Sequence, residues 1–144
     1  MASFQKRDAI SCAQFFLNRA EECDISERYA FECYLEAAIV FGRAAIHRLP
    51  KDWKKHPDWN DWFDKLKTND AVKFFRSERD WILKEGPPKL GQIISLSPNK
   101  RKAKELYYFE TPAKPASEIV RDHLESICHI IEDGKAKFSS SSAT

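Results

Sequence analysis

Phe74-Phe75-Arg76-Ser77-Glu78-Arg79-Asp80-Trp81-Ile82-Leu83-Lys84-Glu85-Gly86 places a charge inside an apolar pattern. Val72, just upstream, and Phe75, Ile82 and Leu83 recur at helical spacing, so the segment reads as an amphipathic helix. Arg79 falls on the same stripe, four residues after Phe75 and three before Ile82. A guanidinium keeps its charge, so it either meets a carboxylate inside the fold or sits in a cleft where its planar fork of donors can hold a phosphate or carboxylate. Glu32 and Glu36 are the carboxylates placed to satisfy the first alternative, and Glu78 points elsewhere. Asp80 and Lys84, four apart, are spaced for an ordinary helix-surface ion pair.

Working outward, Glu27 to about Leu49 is apolar on more than one face and predicts a central helix, ended by Pro50. Before it, Ile10, Ala13, Phe16, Leu17 and Ala20 describe an amphipathic helix from about Phe4 to Cys23, with Asp24 and Ser26 supplying turn and N-cap chemistry. Pro57-Asp58 reopens a helix with Trp59, Trp62, Phe63 and Leu66 on one side, and Asn69-Asp70 caps the arginine helix, which Gly86-Pro87-Pro88 stops. Gln92–Leu96 and Glu105–Phe109 are short β-prone runs either side of a basic turn, the pattern of a hairpin. A last helix opens at Pro115 and Ser117, carries Val120, Leu124, Ile127 and Ile131 on one face, and ends at Gly134. The expected fold is all-α: a four- to five-helix bundle with a small β-hairpin insertion before the last helix. It forms one domain over residues 1–138, with a polar tail at 139–144.

A length of 144 residues, 42% hydrophobic and 32% charged, suits one globular domain, and a net charge of +2 does not by itself mark a nucleic-acid binder. Cys12, Cys23, Cys33 and Cys128 show no C-x-x-C pair and read as reduced core residues of a cytoplasmic protein. No apolar run is long enough for a signal peptide or a membrane span. His56 is expected to be exposed, His123 and His129 point to different faces, and no histidine has a partner at metal-ligand spacing, so neither a metal nor a cofactor is assigned.

Arg79-Asp80-Trp81-Ile82-Leu83-Lys84, late in a helix and followed by a glycine, resembles the R-x4-H motif of HEPN domains, often written R-N-x3-H. As an order of helices the resemblance extends from about Phe4 to Phe138, while the motif covers six residues. It implies a four- to five-helix bundle, often dimeric, of a kind that includes many metal-independent endoribonucleases of toxin–antitoxin and phage-defence systems. In those proteins the arginine binds the scissile phosphate and the histidine helps move a proton. Arg79 matches, Asp80 stands where asparagine or another polar residue is common, and Lys84 replaces the histidine. Lysine, with an ordinary pKa of about 10.4, attracts phosphate but is a poor general base. The resemblance thus implies an RNA- or nucleotide-binding homodimer, a divergent or inactive ribonuclease, with Arg79 as its phosphate-binding residue.

His47 is the alternative proton carrier. It lies one turn after Arg43, and Glu32, Glu36, Arg43 and His47 form a polar stripe on the central helix. If that stripe faces Arg76 or Arg79, then Arg43 and Arg79 bracket a phosphate with His47 beside it; otherwise Arg43 and His47 simply favour the negative end of the helix dipole. Arg76, Lys84, Lys89, Lys100, Arg101, Lys102 and Lys104 add basic character, and Tyr107, Tyr108 and Phe109 either stack on bases or face the core. Trp53, Trp59, Trp62 and Phe63 are core, or else anchor a protein partner. The competing function is a non-catalytic helical interaction or scaffold protein in which Arg79 is a structural ion-pair residue.

Overall fold

A computed structural model of the chain describes residues 8–86, 90–92, 102–105, 107–109 and 114–139. The first helix, α1 (Ala9–Glu22), starts where the Asp8 carboxylate accepts a hydrogen bond from the Ser11 amide at 2.7 Å. It buries Ala13, Leu17 and Ala20. A tight turn follows, closed by the Glu27 amide on the Asp24 carbonyl (2.9 Å) and by the Asp24 amide on the Glu27 carboxylate (3.0 Å). The central helix α2 (Arg28–His47) therefore starts after Glu27, and the expected Ser26 cap is not used.

The central helix ends at His47, just ahead of Pro50 as expected, but Pro50 also does more than stop it and Gly134 is not a stop. Pro50 occupies the first turn of a short helix, α3 (Leu49–Trp53), where its missing N–H leaves no bond unmade. Gly134 lies inside α6 (Ala116–Ser139), which runs five residues past it. A Cβ there would be driven into the Trp53 ring and would stand 3.0 Å from Trp62, so the glycine serves close packing rather than termination. Phe138, one turn on, is buried among Trp53, Trp59, Trp62 and His56, with ring centroids 4.8–6.0 Å away. His56 is accordingly not exposed as expected: its side chain retains 20% of its accessible surface.

Between these lie α4 (Trp59–Leu66) and α5 (Asp70–Lys84). Asn69 caps α5 by accepting from the Ala71 and Val72 amides, and Gly86, at φ 124°, ends it in the left-handed region that favours glycine. The insertion is a two-stranded antiparallel pair, β1 (Leu90–Gln92) with β2 (Tyr107–Phe109), in the register Leu90 to Phe109. The expected first strand reached Leu96, and residues 93–96 lie outside the described ones, as do Phe4 and all of the tail after Ser139.

The long helices α1, α2, α5 and α6 pack around one core, an all-α bundle with the strand pair laid against α6. Leu17, Phe31, Leu35, Ile39, Phe75, Val120 and Ile127 are fully enclosed. Arg121 fastens α6 to α1, donating to the Glu21 carboxylate and to Asn18 Oδ1. Ahead of β2, Lys102 and Ala103 reach back to the α1–α2 turn: Lys102 Nζ donates to the Glu22 carbonyl and pairs with Asp24, and the Ala103 amide donates to the Cys23 carbonyl. Among the described residues no helix is long and apolar enough to cross a membrane.

Candidate anion-binding site

The site follows from one close helix crossing. Gly42, buried in the middle of α2, lies against the Phe75 ring of α5; a Cβ at that position would stand 2.6 Å from Phe75 Cε1. Any larger residue would hold the two helices apart. Arg43 is the next residue on α2, Arg76 follows Phe75 on α5, and Arg79 lies one turn further along. The crossing thus sets the flanks of both helices face to face with arginines on each.

Their charges interact. Arg43, half-buried, has its pKa held below the ordinary value first by burial and then by the positive charges of Arg76 and Arg79, with Asp80 acting in the opposite direction. Asp80 is already engaged: Arg79 Nη1 lies 3.3 Å from its Oδ1, and both side chains keep over two-fifths of their surface. Asp80 thus pairs with Arg79 directly and reaches Arg43 only through its charge. A cluster of cations with surplus charge and a partly desolvated member favours a bound anion, because the anion relieves repulsion that the fold leaves in place.

Several expectations for these residues change. Arg79 is half-exposed and pairs with Asp80, not with Glu32 or Glu36; the helix presents it along the α2–α5 flank rather than into the core. Glu32 is taken by Arg28 at 2.9 Å. Glu36 makes no ion pair among the described residues, and burial followed by the charge of Glu32 raises its pKa. Asp80 does not pair with Lys84, which is exposed at the last residue of α5. His47 is exposed in the last turn of α2, one turn after Arg43, and makes no hydrogen bond or ion pair among the described residues. Leu83, expected on the apolar stripe, is 62% exposed, since only Ala71, Val72 and Phe75 of α5 are buried.

The other candidates sort by burial. Tyr107 and Phe109 are core residues, Tyr107 stacking on Phe31 with centroids 5.5 Å apart; Tyr108 is half-buried. Trp59 is buried, and Trp53, Trp62 and Phe63 are half-buried against the core. Lys89, Lys100 and Arg101 lie outside the described residues, and Lys102 is committed to the α1–α2 turn. Cys12 and Cys23 are buried, whereas Cys33 is exposed and Cys128 half-buried, so only part of the expected cysteine core is present; all four thiols are free. A separate cleft of about 590 Å³, floored by Ile10, Leu49, Trp53 and Ile131 and edged by Arg48 and Lys135, contains none of the three arginines.

No protein-family profile, curated protein or solved structure matches this chain. The geometry therefore carries the functional argument. The signal that could have located the site is Gly42: glycine within a helix is less stable than alanine by roughly 0.5–1 kcal/mol, so its presence there marks a close approach.

Proposed function

We propose that this protein is a HEPN-like bundle that binds the phosphates of RNA or a nucleotide through Arg79, Arg43 and Arg76. One observation carries the reading: Arg43 of α2, half-buried beside the Gly42–Phe75 crossing, feels the positive charges of Arg76 and Arg79 of α5, and among the described residues Asp80 is the carboxylate that acts on it while already paired with Arg79. The planar guanidinium fork suits phosphate oxygens, and three such groups on two helices can hold one phosphate from different sides. The reading covers binding more strongly than cleavage. Lys84 stands where the resembled motif has histidine, exposed at the last residue of α5. His47, on the same helix as Arg43, is the residue left for proton transfer if the protein is a metal-independent ribonuclease of a defence or toxin–antitoxin kind.

Fluorescence anisotropy with a labelled single-stranded RNA, titrated at several salt concentrations, tests it. Wild-type protein should bind with a salt-dependent affinity; Arg79→Ala and Arg43→Ala should each weaken binding by about tenfold or more and flatten the salt slope by about one unit, with unchanged circular dichroism. Equal affinity in wild type and both variants would remove the basis of the proposal. The scaffold reading is favoured by the same Lys84 substitution, and it expects no RNA binding even in low salt.

A further inference from the structure

Where the start of α1 and the last turns of α6 meet the α2–α3 junction, the fold leaves the cleft of about 590 Å³. That volume lies within the roughly 300–1,000 Å³ usual for small-molecule sites. Ile10, Leu49, Trp53 and Ile131 give it a hydrocarbon floor, Leu49 buried and the other three half-buried. The Trp53 ring is held by Trp62 and Phe138, with centroids 5.9 and 5.4 Å away, so this wall is set before any ligand arrives. The rim is charged and unbalanced: Arg48, Lys51 and Lys135 stand on it with Asp8 and Asp52, all five exposed. Asp8 is engaged as the cap of α1, and its bonds to Ser11, followed by the charge of Lys135, hold its carboxyl below the ordinary value. Arg48, Lys51 and Asp52 make no ion pair or side-chain hydrogen bond among the described residues. One positive charge is left over at the mouth of an apolar hollow.

We infer that this cleft binds a small amphipathic carboxylate, its hydrocarbon body laid over Ile10, Leu49, Ile131 and the Trp53 ring and its single negative end at Arg48 and Lys51. Each half of the cleft excludes something. The floor has one polar side-chain atom, the Trp53 indole nitrogen, so a nucleobase would bury most of its hydrogen-bonding edge unmet, whereas an alkyl chain has no such edge to lose. The rim disfavours a cationic amphiphile, and its surplus of one charge matches a monoanion. Burial of the hydrocarbon body drives binding, and the guanidinium fork of Arg48 suits the carboxylate and orients it. The cleft is separate from the three arginines of the α2–α5 flank, and the inference stands whether or not those bind RNA.

Titration calorimetry of the full chain with sodium octanoate tests it, with octanol, octyltrimethylammonium and adenosine monophosphate as comparison ligands. Octanoate should bind saturably at one site per chain, and octanol and the ammonium amphiphile should bind at least about tenfold more weakly. Arg48→Glu and Lys51→Glu should each weaken octanoate by about fivefold or more and leave octanol unchanged. In NMR spectra the Trp53 indole resonance, identified by its loss in Trp53→Phe, should shift with octanoate and stay in place with adenosine monophosphate, which locates the ligand. Ile131→Glu, which sets a charge on the floor, should abolish binding with unchanged circular dichroism; should that variant unfold, the exposed rim variants decide by themselves. Octanoate that does not saturate, octanol that binds as tightly, a Trp53 resonance that adenosine monophosphate moves as far, or an affinity indifferent to both rim reversals each overturns the assignment.

Discussion

Gly42 and Gly134 solve the same packing problem in two regions that differ in everything else. Each lies inside a long helix at a point where an aromatic ring of another element fills the place of a Cβ, Phe75 in one case and Trp53 in the other. Around Gly134 the neighbours are also aromatic: Trp62, Phe138 and, through Phe138, Trp59 and His56, so the contact is sealed by rings. Around Gly42 the next residue on either helix is an arginine. The same device that closes one region leaves charge unsatisfied in the other, which is why the second is where a ligand is expected.

Removing the rings is the strongest way to test that contrast. Phe75→Ala and Phe138→Ala should each lower stability by about 3–5 kcal/mol in chemical denaturation, since both side chains are buried. Their effects on function should part: with the helix crossing lost, Phe75→Ala should also lose anion binding, whereas Phe138→Ala, measured under conditions where it is folded, should keep it. Anion affinity falling equally in both would show that the arginines do not depend on this crossing.

Filling the glycines is the next largest perturbation. Gly42→Val and Gly134→Val should each cost about 1–3 kcal/mol by overpacking. Only the first should alter anion affinity, because only it wedges α2 from α5. A valine at either position that leaves the thermal midpoint unchanged would contradict the close approach described there.

The smallest effect concerns His123, which stacks on Phe74 with ring centroids 4.4 Å apart and meets Phe75 edge-on at 6.5 Å. Burial lowers its pKa below 6.5, against the opposing charges of Asp122 and Asp70. The unfolded chain therefore binds a proton more readily than the folded one. The sign follows: the neutral ring's contribution is fully present above pH 6.5 and is lost as pH falls from 6.5 through the depressed folded value. His123→Gln should flatten this part of the stability–pH curve, and an identical curve in wild type and variant would show that the ring titrates freely in the fold.

The apolar spacing made most of the scaffold legible. Leu17, Leu35, Ile39, Phe75, Val120, Leu124 and Ile127 are where helical periodicity puts them, because a bundle buries one stripe per helix and the stripe is written in the sequence. Local punctuation was less informative. Pro50 and Gly134 carry the chemistry of helix breakers, yet one opens a helix and the other admits a tryptophan, a choice made by neighbours distant in sequence. The arginines were legible as individuals. What periodicity could not supply was that Arg43 would feel the charges of Arg76 and Arg79, since that depends on how α2 crosses α5.

The tie from Lys102 and Ala103 to the α1–α2 turn has a consequence for how the chain is assembled. It joins residues 80 apart in sequence. Drawn together from an unfolded chain, ends that distant carry a length-dependent entropic cost of about 4 kcal/mol. A lysine on a carbonyl, one backbone bond and an exposed ion pair contribute roughly 1 kcal/mol each, which falls short of that cost. The tie therefore does not close by its own attraction; it closes because Ala103, Tyr107 and Phe109 are drawn into the core beside it. The strand pair is in this sense held by its own apolar side chains, Tyr107 against Phe31 and Phe109 against Phe74, and the tie to the α1–α2 turn follows from that burial.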